Sequence, residues 1–251
     1  MIEFDQVRRA YGDRVAVERL DLRVAAGEVY SLLGHNGAGK TTTIKLLVGL
    51  LRPEAGSIRV GGYDVVTQTR LAASLIGYVP DQPFLYEKLT GREFLQFVAQ
   101  MHGLDPARGG RAIDREIERF ELKEFADDLT ERYSHGMKQR TVFASALLNS
   151  PRALVLDEPL VGLDPHSIRL VKDLLCAESK SGMCVLMSTH TLAAAEEISH
   201  RLGIMSHGRM LFDGTIAELR RRFPRGDESL ETMYLAMTET VPLSAPSTEL
   251  P

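Results

Sequence analysis

The run Gly34-His35-Asn36-Gly37-Ala38-Gly39-Lys40-Thr41-Thr42 constrains this chain more than any other stretch, because it fits G-x-x-x-x-G-K-[ST]. A loop of this composition meets anionic phosphates with converging backbone N–H groups, and glycines at 34, 37 and 39 permit the tight turn. Lys40 is placed to reach β- and γ-phosphates, and Thr41 to present its hydroxyl to Mg²⁺. The context agrees: residues 28–33 read as a short buried strand and 42–50 as the helix that follows. Strand, glycine loop and helix in this order imply a nucleotide-binding α/β chain.

At 251 residues the chain has room for one large domain with a sizeable interior. Its net charge of −4 provides no basic face of the kind nucleic acids require, so no nucleic-acid partner is expected. No apolar run approaches the roughly 18 residues of a membrane helix. Residues 1–5 lack the basic and apolar stretches of a signal peptide. Cys176 and Cys184 have no metal-ligand spacing and read as small apolar residues in a reducing compartment. The expectation is a cytoplasmic chain that acts at a membrane only through a partner.

Hydrophobic periodicity divides the chain. Residues 1–24 alternate, with Val15, Val17, Leu20, Leu22 and Val24 separated by polar residues, as in half-exposed antiparallel strands. Residues 57–60 and 75–79 read as strands, closed by Gly61-Gly62 and by Pro80. From 83 to 150 the period turns helical, with Phe94, Leu95, Phe97, Val98 and Met101 on one apolar face and Ile113, Ile117 and Phe120 on another. Continuous apolar strands return at 153–156 and 184–187 with a helix at 167–178 between them, the rhythm of a mostly parallel sheet covered on both faces. Ile204-Met205 and Met210-Leu211-Phe212 flank His207-Gly208, a hairpin signal. Residues 241–251, with three prolines and two serines, read as a disordered tail.

Three further motifs fall around the same sheet. Asp157-Glu158 ends a buried strand, where ligands of open α/β sheets bind. Asp157 suits Mg²⁺, directly or through water, and Glu158 suits activation of an attacking water; a helix N-cap followed by a first-turn acid is the structural alternative. His190 leaves the next strand on the same edge and can donate a hydrogen bond to a γ-phosphate oxygen. Ser134 stands at the N-cap of a helix with Gly136 in its first turn, which favours an anion there or simply caps the helix.

In order and spacing these motifs resemble the ATP-binding subunit of an ABC transporter, over about residues 2–220. The P-loop, Ser134-His135-Gly136-Met137-Lys138-Gln139 as the signature, residues 154–158 as the Walker B strand, Val161-Gly162-Leu163-Asp164 as the D-loop and His190 as the switch histidine follow the family's order. Tyr11 resembles the aromatic that stacks on adenine. The resemblance implies an α/β P-loop NTPase fold within 1–220: a RecA-like core with an antiparallel β-subdomain at 1–82 and 151–220, a helical subdomain at 83–150, and a C-terminal extension at 221–251. It implies ATP and Mg²⁺ as ligands and a catalytic set of Glu158, His190 and Lys40. Nucleotide contacts are expected from Tyr11, Gly34, Asn36, Gly37, Gly39, Lys40, Thr41, Thr42, Gln82, Ser134, Gly136 and Asp164, and metal contacts from Thr41, Asp157 and Gln82.

It further implies a head-to-tail dimer, in which Ser134 and Gly136 of one subunit face the P-loop of the other. A separate transmembrane permease is expected to contact the groove near residues 82–97, placing the chain peripherally on the inner face of the cell membrane. The signature looks exporter-like. Two departures matter. Tyr133 and His135 replace the family's leucine and first glycine, and Pro80 is followed by Asp81 before Gln82. Either Gln82 fills the family's glutamine role after a one-residue shift or Asp81 substitutes near the metal; Gln82 is preferred because an amide both donates and accepts. The competing reading is an ATPase of a soluble assembly complex, such as iron–sulfur cluster assembly, whose cassette would look much the same.

Overall fold

The N-terminal alternation becomes a long hairpin in the computed structural model, which describes residues 1–223 and 229–239. Strands β1 (Ile2–Tyr11) and β2 (Arg14–Val24) pair antiparallel across the two-residue turn Gly12-Asp13. On its other side β1 pairs with β4 (Ala55–Val60), and β4 with the short β5 (Tyr63–Asp64), giving the order β2-β1-β4-β5. One face of this sheet buries Phe4, Val17, Leu22, Ile58 and their neighbours against the second sheet, and the other carries the interleaved charges to solvent.

The second sheet holds β3 (Val29–Leu33), β6 (Ile76–Val79), β7 (Ala153–Asp157), β8 (Cys184–Thr189), β9 (Arg201–Ser206) and β10 (Arg209–Gly214) in the order β10-β9-β3-β8-β7-β6. All neighbours are parallel except β9 and β10, which form the expected hairpin with His207 and Gly208 at φ +49° and +79°. β3, β7 and β8 are buried along their whole length, which explains their unbroken apolar runs. The register aligns Leu33 with Thr189 and Asp157 with Ser188. The P-loop, Asp157-Glu158 and His190 therefore leave the sheet on one edge.

Helix α1 (Lys40–Leu47) starts and ends earlier than the sequence spacing suggests. Gly39, at φ +113°, makes the entry turn, and a Cβ there would stand 2.3 Å from the Ala16 carbonyl oxygen; Gly49, at φ +78°, closes the exit. After the short α2 (Thr69–Ala73), the helical region contains α3 (Gly91–Met101), α4 (Pro106–Arg119) and α5 (His135–Leu147). Thr90 and Glu93 form a capping box on α3, Asp105 caps α4 before Pro106, and Ser134 caps α5. Phe94, Phe120 and Phe143 pack in one cluster with Leu154 and Val185 of the sheet and with Leu175 of α6 (Pro165–Lys180). The helical lobe thus shares its core with one face of the parallel sheet.

α7 (Leu192–Ile198) follows His190, and α8 (Ile216–Arg220) follows the last strand. The C-terminal extension contributes α9 (Leu230–Glu239), whose Leu230, Met233, Tyr234 and Met237 recur at helical spacing. Leu230 and Met233 are buried with Leu33, Ala195, Leu202 and Phe212. The tail expected at 241–251 lies outside the described residues. Among those residues no helix is long and apolar enough to cross a membrane.

Candidate nucleotide site

A cleft of about 550 Å³ opens on the C-terminal edge of the parallel sheet. The P-loop forms its floor, through Asn36, Gly37, Gly39, Lys40, Thr41 and Thr42; Tyr11 lies along one wall, and Glu158 and His190 along the other. Gly34 is buried beneath the loop, where a Cβ would stand 2.7 Å from the Met205 carbonyl oxygen. The guanidinium of Arg9 lies 5.2 Å from the centre of the Tyr11 ring, covering one face and leaving the tyrosine otherwise half exposed.

Glu158 is the hub of the site. It follows β7 in the left-handed region at φ +49°, a conformation a non-glycine residue holds only where its surroundings fix it. Its backbone N–H donates to the hydroxyl (3.0 Å) and carbonyl (3.2 Å) of Ser188. One carboxylate oxygen lies 3.3 Å from Lys40 Nζ; the other lies 2.9 Å from His190 Nδ1 and accepts from the His190 backbone N–H at 3.2 Å. Lys40 in turn donates to the Gly34 carbonyl at 2.7 Å. Of the three expected catalytic residues, Glu158 therefore contacts both Lys40 and His190.

Beside them Asp157 Oδ1 accepts from Ser188 Oγ at 2.5 Å and from Thr41 Oγ1 at 3.3 Å. Burial pushes the Asp157 carboxyl up; the Ser188 and Thr41 hydroxyls oppose this, and the charges of Asp81 and Glu158 add to it. Of the two candidates after β6, Asp81 lines the cleft, whereas Gln82, also exposed, does not. The chain bends at these two residues, just past Pro80 and the end of β6.

Ser134, Gly136 and Asp164 do not line this cleft. The Ser134 hydroxyl accepts from the Met137 N–H in capping α5, and Gly136 lies against Leu163 and Asp164. His135, the departure from the family's glycine, brings Nε2 to 3.2 Å from the Val161 carbonyl and its ring against Gly162. Asp164 caps α6, accepting from the His166 and Ser167 N–H groups and the Ser167 hydroxyl.

Several residues at the site have no role assigned to them by the sequence. Ser188 anchors both carboxylate residues, and its position opposite Asp157 follows only from strand pairing. Arg14, His35 and Val161 also line the cleft. Tyr234 of α9 reaches the back of the P-loop: burial pushes its phenol up, and the His35 backbone N–H partly offsets this.

Comparison with known proteins agrees with the geometry. The family model for ABC transporters matches residues 17–161. The daunorubicin resistance ATP-binding protein DrrA3 of Streptomyces coeruleorubidus is 38% identical over 219 residues, covering 87% of this chain and 69% of the relative. Nod factor export ATP-binding protein I of Paraburkholderia xenovorans is 37% identical, with coverages of 87% and 72%. The linearmycin resistance ATP-binding protein LnrL of Bacillus subtilis is 36% identical, with coverages of 95% and 76%. A solved ATP-binding subunit of an ABC transporter superposes with a TM-score of 0.89 at 32% identity, covering 94% of this chain and 99% of that one. A dimeric ATP-binding cassette bound to ADP and Pi shares the fold, with a TM-score of 0.77 at 23% identity and coverages of 86% and 99%. On its motifs, its fold and these relatives, the chain belongs to the ABC transporter family, as an ATP-binding ATPase subunit.

Proposed function

We propose that the chain binds ATP between Tyr11, the P-loop and Glu158, and hydrolyses it to drive export through a separate membrane permease. The observation that carries this is Glu158, fixed at the mouth of the P-loop with one oxygen on Lys40 and the other on His190. When phosphates enter, Lys40 exchanges the Gly34 carbonyl for β- and γ-oxygens, and Glu158 Oε1 is released to accept a proton from the attacking water. His190 holds the other oxygen in place and faces the γ-phosphate. Loop N–H groups at the start of α1 balance the negative charge that develops.

Thr41 and Asp157 fit a Mg²⁺ ion: a hydroxyl and a desolvated carboxylate converge, and a cation relieves the burial cost seen at Asp157. Bound there, Mg²⁺ supplies charge neutralisation at the phosphates. Asp81 lines the same cleft and its charge bears on Asp157, and we assign it rather than Gln82 to the metal side of the site.

Ser134 and Gly136 lie outside their own chain's cleft, which supports a head-to-tail dimer in which they meet the nucleotide held by a second copy. Phe84, Tyr86 and Phe97 are exposed and edge-packed, with ring centroids 5.6 and 5.4 Å apart about Tyr86. This aromatic ledge suits a helix of the permease, which would hold the chain on the inner face of the membrane. The relatives are export and resistance proteins, which supports export over a soluble assembly machine.

The test is the Glu158→Gln protein, expressed tagged in its native cell. It should bind ATP while hydrolysis falls at least about 100-fold, and it should copurify from solubilised membranes with a multi-span protein. Unchanged turnover would remove Glu158 from catalysis; recovery with soluble companions alone would move the function to the assembly alternative.

A further inference from the structure

Arg14 lines the cleft near its mouth. Several arginines around it are tied: Arg8 to Glu54, Arg19 to Gln6, Arg201 to Glu28 and Arg209 to Glu18. The Arg14 side chain is exposed and, among the described residues, makes no hydrogen bond or ion pair. It nevertheless has a defined position. The register of β1 and β2 sets Arg14 directly opposite Tyr11 across the Gly12-Asp13 turn, so the two side chains leave the same face of the hairpin tip. The tip overhangs the P-loop, and one guanidinium nitrogen lies 2.8 Å from where a Cβ on Gly37 would stand. At φ +83° Gly37 exposes its backbone to the cleft, and the absence of a side chain leaves the space that the guanidinium occupies.

We propose that Arg14 is a further nucleotide-binding residue, which clamps the polyphosphate chain of a nucleoside di- or triphosphate against the P-loop from the side opposite Lys40. The proposal rests on the reading of this cleft as the ATP site. A planar guanidinium suits the role, because it donates two parallel hydrogen bonds to adjacent phosphate oxygens. Its location between Tyr11 and Gly37 places it between a base stacked on the tyrosine and the phosphates on the loop. The contact reads phosphate and not base.

Calorimetric titration of wild type, Arg14→Ala, Arg14→Lys and Lys40→Ala with MgATP, MgADP and adenosine tests this. Arg14→Ala should raise the Kd for ATP and ADP about tenfold, the worth of a charge-assisted contact. It should leave adenosine within twofold and flatten the salt dependence of ATP binding. Arg14→Lys should recover part of the loss. ATP and ADP affinities within twofold of wild type would overturn the proposal, as would an equal loss for adenosine, which would mean a disturbed hairpin. A wild-type protein that binds no ATP would overturn the ATP site itself; loss in Lys40→Ala with none in Arg14→Ala would overturn only the role of Arg14. Arg14→Gln, which keeps the hairpin's polar edge, repeats the comparison if the alanine variant melts early.

Discussion

Lys40 Nζ stands 3.3 Å from Glu158 Oε1, with the two side chains only 6% and 12% exposed. The P-loop cation and the strand-end carboxylate thus neutralise each other across the cleft. Each has a second partner, Gly34 for Lys40 and His190 for Glu158, so the pair can open without stranding either group.

The two residues should separate cleanly by variant. Lys40→Ala should lower ATP affinity at least about tenfold, because it removes a charge-assisted phosphate contact. In the nucleotide-free protein Lys40→Met should cost about 1–3 kcal/mol in urea unfolding, since Glu158 stays largely enclosed in its hydrogen bonds but loses its cation. A Lys40→Met protein as stable as wild type would mean that the pair contributes nothing before nucleotide arrives.

How much of this was legible in the sequence follows from the range of each signal. β3, β7 and β8 are buried on both faces, so their runs are continuous and easily read, and the residues just beyond them, the P-loop, Glu158 and His190, inherit a common edge. Asp81 against Gln82 is a one-residue choice made within the bend that follows Pro80, and no periodicity extends across that bend. Arg14 sits opposite Tyr11 only because the hairpin turn holds two residues, with Gly12 at φ +57°; alternation alone does not specify that register. α9 was obscured by the polar, proline-bearing stretches around it, although Leu230, Met233, Tyr234 and Met237 carry the helical period.

Asp164 offers a pH signature. The Ser167 hydroxyl and then the Ser167 and His166 N–H groups hold its carboxyl down at about 2, below the ordinary 3.8. A carboxyl with a lowered folded-state pKa stabilises the fold above its unfolded value, and that contribution is lost as pH falls from about 4 towards 2. Asp164→Ala should therefore lower the melting temperature at pH 7, and the gap from wild type should narrow across that window. A gap that stays constant to the acid end would show that the α6 cap does not depend on the charge.

α9 should behave as part of the domain. Met233 is fully buried against a cluster containing Leu33, the last residue before the P-loop, and Ala195 of the helix after His190. Met233→Ala should cost about 2–5 kcal/mol, the range for truncating a buried methionine. On the same helix Leu235 is 45% exposed, and Leu235→Ala should stay within about 0.5 kcal/mol of wild type. Equal effects in chemical denaturation would mean that α9 does not dock through Met233.

The two cysteines should separate by reactivity. Burial pushes the Cys184 thiol up to about 12, and the side chain is wholly enclosed where β8 passes the end of β2, with Sγ 4.0 Å from the Val24 carbonyl oxygen. Cys176, on α6, is partly exposed. Because the attacking species is the thiolate, native protein at pH 8 should react with an aromatic disulfide reagent at Cys176 alone, and Cys176→Ala protein should show no fast-reacting thiol. In denaturant both should react, since the unfolded chain removes the burial that holds Cys184 protonated. Rapid labelling of Cys184 in the native Cys176→Ala protein would require β8 to open near its N-terminal end. That opening would loosen the same strand whose far end carries Ser188, so the labelling rate also reports how firmly the anchor of Asp157 and Glu158 is held.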